Sequence, residues 1–168
     1  MSEKIRRPYH EMMPIAEKVK ALLAPDCERI EIAGSLRRKK DFIGDIEIVC
    51  IPKPFDVGLF ASGIAKTVDQ WQKVKGEVTG KYTQRILPEG VVLDLFMVNP
   101  ESWGLQLAIR TGSADFSHKV LACGWVKAGY KCEDGLLRRF GGIVQVREER
   151  DLFNLIGLEW VDPMDRSL

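Results

Sequence analysis

The sequence predicts an α+β fold, because stretches with apolar residues at helical spacing are interleaved with stretches that alternate or run apolar without a break. Met12, Ile15, Ala16, Val19, Leu22 and Leu23 recur as one face of a helix that should end by Pro25. Residues 45–51 alternate, with Ile46, Ile48 and Cys50 on one face, while residues 91–98 are apolar on both sides of a single Asp94, as in a central buried strand.

The remaining elements fall between these. Residues 29–33 read as a short strand, with Ile30 and Ile32 on one face. Gly34 and Ser35 open a basic loop that runs to Gly44. Residues 59–71 predict a helix weakened by Gly63, and residues 73–87 predict hairpin or edge strands around Gly76 and Gly80. Pro88, Glu89 and Gly90 form a turn, and Asn99-Pro100 breaks the strand after it. Ser102 is placed to cap a helix through Ile109, and the Thr111-Gly-Ser113 turn leads into a second helix over residues 114–127. Residues 130–145 carry strand-like stretches around Gly135 and Gly141-Gly142, and residues 148–156 a last helix before an irregular tail.

Composition narrows the class. At 168 residues with 45% hydrophobic and 29% charged side chains, the chain can bury a core as one domain, or as one domain with a small appended lobe. No apolar run approaches the ~20 residues needed to cross a bilayer. The first residues carry Glu3, Lys4, Arg6 and Arg7 rather than the apolar core of a signal peptide, so an intracellular location is expected, in the cytoplasm or in a virus-infected cell. The four cysteines are scattered and the two histidines, His10 and His118, lie far apart, which argues against a zinc site and for reduced core thiols. Net charge is +1, so attraction for a polyanion must come from local clusters such as Arg37, Arg38, Lys39 and Lys40.

Three acids carry the chemistry. Alternation turns Asp45 and Glu47 to the face opposite Ile46 and Ile48, where two adjacent carboxylates repel each other unless a cation lies between them. For that pair alone, a solvated sheet face is the commoner explanation. Asp94 shifts the balance, since an ionised carboxylate in an apolar strand is costly unless paired or bound to metal. If the two strands are neighbours, the three acids can form one oxygen-rich cluster suited to Mg²⁺ or Mn²⁺. Nucleotidyl transfer uses such a cluster together with an anion cradle, which Gly34, Ser35 and the Arg37-Arg38 pair could supply.

In this order and spacing the motifs resemble family X of the DNA polymerases, the polymerase beta group. Gly34-Ser-Leu-Arg-Arg38 followed by Gly44-Asp-Ile-Glu47 is similar to the family's Gly-Ser, basic pair and Gly-Asp-x-Asp signature, and Leu93-Asp-Leu95 to the strand of its third metal ligand. Thr111-Gly-Ser113 with Phe116 is similar to the nucleotide-pocket turn, and Glu133-Asp-Gly-Leu136 and Asp162-Pro-Met-Asp-Arg-Ser167 to thumb motifs. The resemblance implies a nucleotidyltransferase palm with a mixed sheet over residues 1–100 and a small α/β thumb over residues 101–168. It implies that Asp45, Glu47 and Asp94 are the catalytic and metal-binding residues, with Asp94 activating a primer 3′-hydroxyl. Ser35, Arg38 and Gly44, beside Gly34, would hold the triphosphate. Gly112, Ser113 and Phe116 would border sugar and base.

The implied partners are a dNTP and primer-template or gapped DNA, with Arg37, Lys39 and Lys40 as DNA contacts, in a monomer that fills gaps or repairs DNA without any membrane. No room is left for the family's lyase domain, so the chain looks like the minimal members found in some viruses. Departures are Glu47 at a position that usually carries Asp, Ile109-Arg110 for a Tyr-Phe pair, Ser117 for an Asn, and Leu121 and Phe96 for arginines. Two other functions stay open: nucleotidyl transfer to RNA, a protein or a small molecule, and a non-catalytic nucleic-acid-binding module.

Overall fold

Strand alternation organises the first half of the molecule. The structure, a computed structural model, describes residues 5–54 and 63–168, and these divide into two units, Met1–Val98 and Asn99–Leu168. In the first unit β1 (Arg7–Pro8) leads into α1 (Tyr9–Leu23), β2 (Cys27–Ile32), a single helical turn α2 (Gly34–Arg37), β3 (Phe42–Ile43) and β4 (Ile46–Pro52). Then come α3 (Ile64–Val68), β5 (Gln72–Gly76), β6 (Tyr82–Ile86) and β7 (Val92–Met97). The five-stranded sheet has the order β2-β4-β7-β6-β5, with β4 and β7 parallel and every other pair antiparallel. The fold class is therefore α+β with a mixed sheet.

One face of this sheet is the core. Ile46, Ile48 and Cys50 of β4 and Leu93, Leu95 and Met97 of β7 are buried together with Met12, Ala16, Val19 and Leu23 of α1 and Ile64 and Val68 of α3. Each fully buried aliphatic side chain contributes about 1.5–3 kcal/mol, so the four α1 residues suffice to hold the helix on the sheet. The opposite face of β4 and β7 is left for Glu47 and Asp94. Arg85 is the exception on the core side. It is 3% exposed, donates to the Thr83 hydroxyl at 3.0 Å and the Trp71 carbonyl at 3.4 Å, and forms an ion pair with the Asp69 carboxylate at 3.1 Å.

Several expectations need correction. The stretch 34–44 is not one loop: Gly34–Arg37 winds one helical turn, and Phe42–Ile43 pairs with Arg7–Pro8. The helix expected over 59–71 is Ile64–Val68, because Gly63 takes a left-handed φ of 65° and starts it. Positions 59–62 lie outside the described residues. Asp45 precedes β4 rather than opening it.

In the second unit, α4 (Trp103–Thr111) is followed by a π-helical run Phe116–Ala122 that narrows into α5 (Cys123–Lys127), where one regular helix was expected. A three-stranded antiparallel sheet of order β10-β9-β8 follows, with β8 Lys131–Glu133, β9 Leu136–Arg139 and β10 Gly142–Val144, and then α6 (Glu149–Leu155). Ser102 does not cap α4; its hydroxyl donates to the Asn99 carbonyl at 3.3 Å. Leu105, Ala108, Phe116, Leu121, Trp125, Leu137, Val146, Leu152 and Phe153 form the core of this unit.

The tail is held rather than loose. Arg166 is fully buried, pairs with the Glu149 carboxylate of α6, donates from Nε to the Val161 carbonyl at 2.9 Å and lies over the rings of Phe153 and Trp160. Removing one member of a buried ion pair strands the other in a low dielectric. Arg166→Ala should therefore destabilise the protein by about 3–5 kcal/mol. The double variant Arg166→Met with Glu149→Gln should lose less, as urea unfolding followed by tryptophan fluorescence would register.

Candidate active site

The site of the first unit is built on the solvent side of β4, β7 and β6. Because β4 and β7 run parallel in direct register, Glu47 stands opposite Asp94, and because β6 pairs antiparallel with β7, Gln84 stands opposite Asp94 from the other side. Three side chains thus form one row across three strands. Opposed carboxylates on neighbouring strands repel, so each needs a positive or donor group nearby.

Asp94, 8% exposed, has two donors. The Tyr82 hydroxyl reaches its Oδ1 at 2.5 Å and the Gln84 side-chain amide reaches the same oxygen at 2.8 Å. The Tyr82 ring packs against Phe96 with centroids 5.0 Å apart, and the Lys75 ammonium lies 5.4 Å from its centre. On the other side of the row, Glu47 and Asp45 act electrostatically on Arg38. Burial pushes the Arg38 guanidinium below its ordinary pKa range, and the two carboxylates push it back up. Burial is the larger effect, so the net shift is downward.

Gly34 makes this arrangement possible. It adopts a φ of 62°, and a Cβ built there would overlap the Glu47 carboxylate, so only glycine lets the α2 turn sit this close to β4. The turn is tied down by the Ala33 N–H donating to the Glu47 carbonyl at 2.8 Å and by the Lys40 N–H donating to the Ser35 carbonyl at 3.1 Å. Lys39 is exposed with a φ of 54°, and Arg37, Lys40, Ser35 and Gly44 are part-exposed around the same loop.

The three acids do not stand as one coordination cage. Among the described residues no set of three or more His, Cys, Asp or Glu side chains is arranged to hold a metal ion. Asp94 is held by Tyr82 and Gln84, while Asp45 and Glu47 interact electrostatically with Arg38. The three acids nevertheless offer only oxygen ligands, with Glu47 and Asp94 in direct register, and that chemistry fits a hard divalent cation. Cys27 and Cys50, the buried thiols of β2 and β4, lie with the core instead.

In the second unit the Thr111-Gly-Ser113 turn is shaped by its own contacts. The Ser113 hydroxyl accepts from the Phe116 N–H at 3.1 Å and the Leu168 N–H at 3.3 Å, and the Ser113 N–H donates to the Arg166 carbonyl at 2.9 Å. A Cβ on Gly112 would come within 2.8 Å of Phe116 Cδ1 and Ser117 Oγ, so close packing requires a glycine there. Phe116, expected to border a nucleotide, is 3% exposed and belongs to the core of this unit, where it seats the turn from below. The Ser117 hydroxyl is engaged with the Ile109 carbonyl at 2.7 Å.

Tyr82 and Gln84 escaped the sequence reading. Residues 73–87 were legible as strands, but which of their side chains face Asp94 depends on a register that alternation does not specify.

Comparison with known proteins places the second unit. Residues 106–167 match the family model described as the DNA polymerase beta thumb. The second unit is thus thumb-like, and the match supports a relationship of the chain to the family X polymerases. The chain matches no curated protein sequence. No helix among the described residues is long and apolar enough to cross a membrane.

The Gly34 seat gives a direct test. Gly34→Ala forces a side chain into a left-handed position and displaces Glu47, so it should cost at least about 1–2 kcal/mol in chemical denaturation. It should also weaken dATP binding measured by calorimetry. A variant with unchanged stability and affinity would show that the turn relaxes freely.

Proposed function

We propose that the chain is a nucleotidyltransferase of the DNA polymerase type, which adds dNMP to a primer 3′-hydroxyl and serves gap filling or repair. The observation that carries this reading is the pairing of Glu47 with Asp94 across parallel strands, beside a glycine turn that brings Arg38 against the same face. The polymerase beta thumb match over residues 106–167 supports it independently.

Asp45, Glu47 and Asp94 would hold Mg²⁺, or Mn²⁺ in its place. When bound, such ions supply charge stabilisation for the attacking oxygen and the leaving pyrophosphate. The chain's own groups do the rest. Asp94 accepts the proton of the primer 3′-hydroxyl as that oxygen bonds to the α-phosphorus of the dNTP. The bond from this phosphorus to the bridging oxygen breaks, and pyrophosphate carries away the electron pair. Arg38, close enough to Asp45 and Glu47 to interact electrostatically with both, offers a fork of donors to the triphosphate oxygens, with the Ser35 hydroxyl and the Gly34 and Gly44 backbone alongside. Gly112, Ser113 and Phe116 are assigned to the sugar and base, with Phe116 also supporting their turn from the core, and Arg37, Lys39 and Lys40 are assigned to DNA phosphates.

Primer extension on gapped, nicked and single-stranded DNA with Mg²⁺ and dNTPs tests the reading. The wild-type chain should extend the primer, and Asp94→Asn should lower the rate by at least about a hundredfold while folding and DNA binding are retained. Activity of Asp94→Asn within a few-fold of wild type would remove the three-carboxylate assignment. Affinity for DNA should also fall steeply with salt, since a few lysines and arginines rather than net charge make the contacts. A binding constant that ignores salt would point to a small-molecule acceptor.

A further inference from the structure

We infer that Tyr82 and Gln84 are positioning residues for Asp94, and that they fix which of its two oxygens meets the reacting hydroxyl; this rests on the polymerase reading above. Both donors converge on Oδ1, at 2.5 and 2.8 Å. A carboxylate held by one oxygen at two points cannot rotate to exchange its oxygens without breaking both bonds, so Oδ2 is the oxygen left for the 3′-hydroxyl. The two donors come from one strand and one face. Tyr82 and Gln84 are alternate residues of β6, whereas Thr83 between them and Arg85 beyond are buried on the other side.

The arrangement also answers an electrostatic need. Asp94 stands in register with Glu47, and neither donor carries a charge. Neutral donors hold the Asp94 carboxylate in place without competing as a cation would for the same carboxylates. Packing alone does not explain the pair. Gln84 presents its amide to Asp94, and Tyr82 is already supported through its ring by Phe96 and Lys75, independently of its hydroxyl.

The experiment separates positioning from filling space. Tyr82→Phe removes a donor and keeps the ring; Gln84→Leu removes a donor without adding charge; Gln84→Glu keeps size and shape but sets a third carboxylate against Asp94. Single-turnover addition on a gapped primer-template with Mg²⁺ should slow about tenfold in the first two and about a hundredfold in Gln84→Glu, with the apparent dNTP Kd unchanged in all three. A space-filling role would reverse the order and leave the near-isosteric Gln84→Glu least affected.

The second readout needs no activity. In the ¹⁵N-labelled full chain, one Gln84 side-chain amide proton should resonate downfield, and it should lose that shift in Asp94→Ala. An amide signal that ignores Asp94, wild-type rates in all three variants, or a loss confined to dNTP Kd would overturn the inference. If the wild-type chain adds no nucleotide to any primer, the polymerase reading falls and the positioning role with it, whatever the amide reports.

Discussion

The parallel pairing of β4 with β7 is the constraint on which the rest of the first unit depends. Parallel register sets Glu47 directly opposite Asp94, and each of the surrounding features answers the cost of that opposition. Apolar residues of both strands fill the core side, so the strands cannot slip by one residue without turning Ile46, Ile48, Leu93 and Leu95 into water. With the register locked from behind, the acids in front have no choice of neighbour.

What surrounds them is correspondingly specific. The α2 turn approaches closely enough to bring Arg38 against Asp45 and Glu47, which only a glycine at position 34 allows. The β6 strand supplies donors rather than charges to Asp94. One end of the row therefore carries a fixed cation and the other end neutral dipoles. In the second unit a comparable economy ties the Ser113 turn to the tail, because Arg166 uses its side chain on Glu149 and its carbonyl on the Ser113 N–H. Two motifs far apart in sequence are in this way parts of one local structure.

Much of the fold was legible because burial leaves periodic marks. The α1 face, the alternation of β4 and the apolar run of β7 are direct imprints of a two-layer core. Less visible were features decided by single dihedrals or by register. Gly63 reads as a weak helix residue but starts a helix through its left-handed φ, and the one-turn helix at Gly34–Arg37 is too short to have a period. Phe116 illustrates a different point: a motif places an aromatic ring near a turn, but not how deeply that ring is buried. Tyr82 and Gln84 were hidden because their role depends on pairing with β7, and a polar residue in an edge hairpin looks like any solvated one.

The route of the chain between β4 and β7 has a consequence for how the protein is made. As synthesis proceeds, β4 can pair at once with β2, but its other edge must wait until α3, β5 and β6 have emerged and β7 arrives to fill the centre of the sheet. Throughout that interval a strand with three apolar core-facing residues, Ile46, Ile48 and Cys50, presents unpaired backbone to its surroundings, open to a wrong partner. The central strand is the last of the sheet to be completed, so the face that carries the carboxylates cannot exist before β7 has been made. Its appearance is a report that the whole first unit has been assembled.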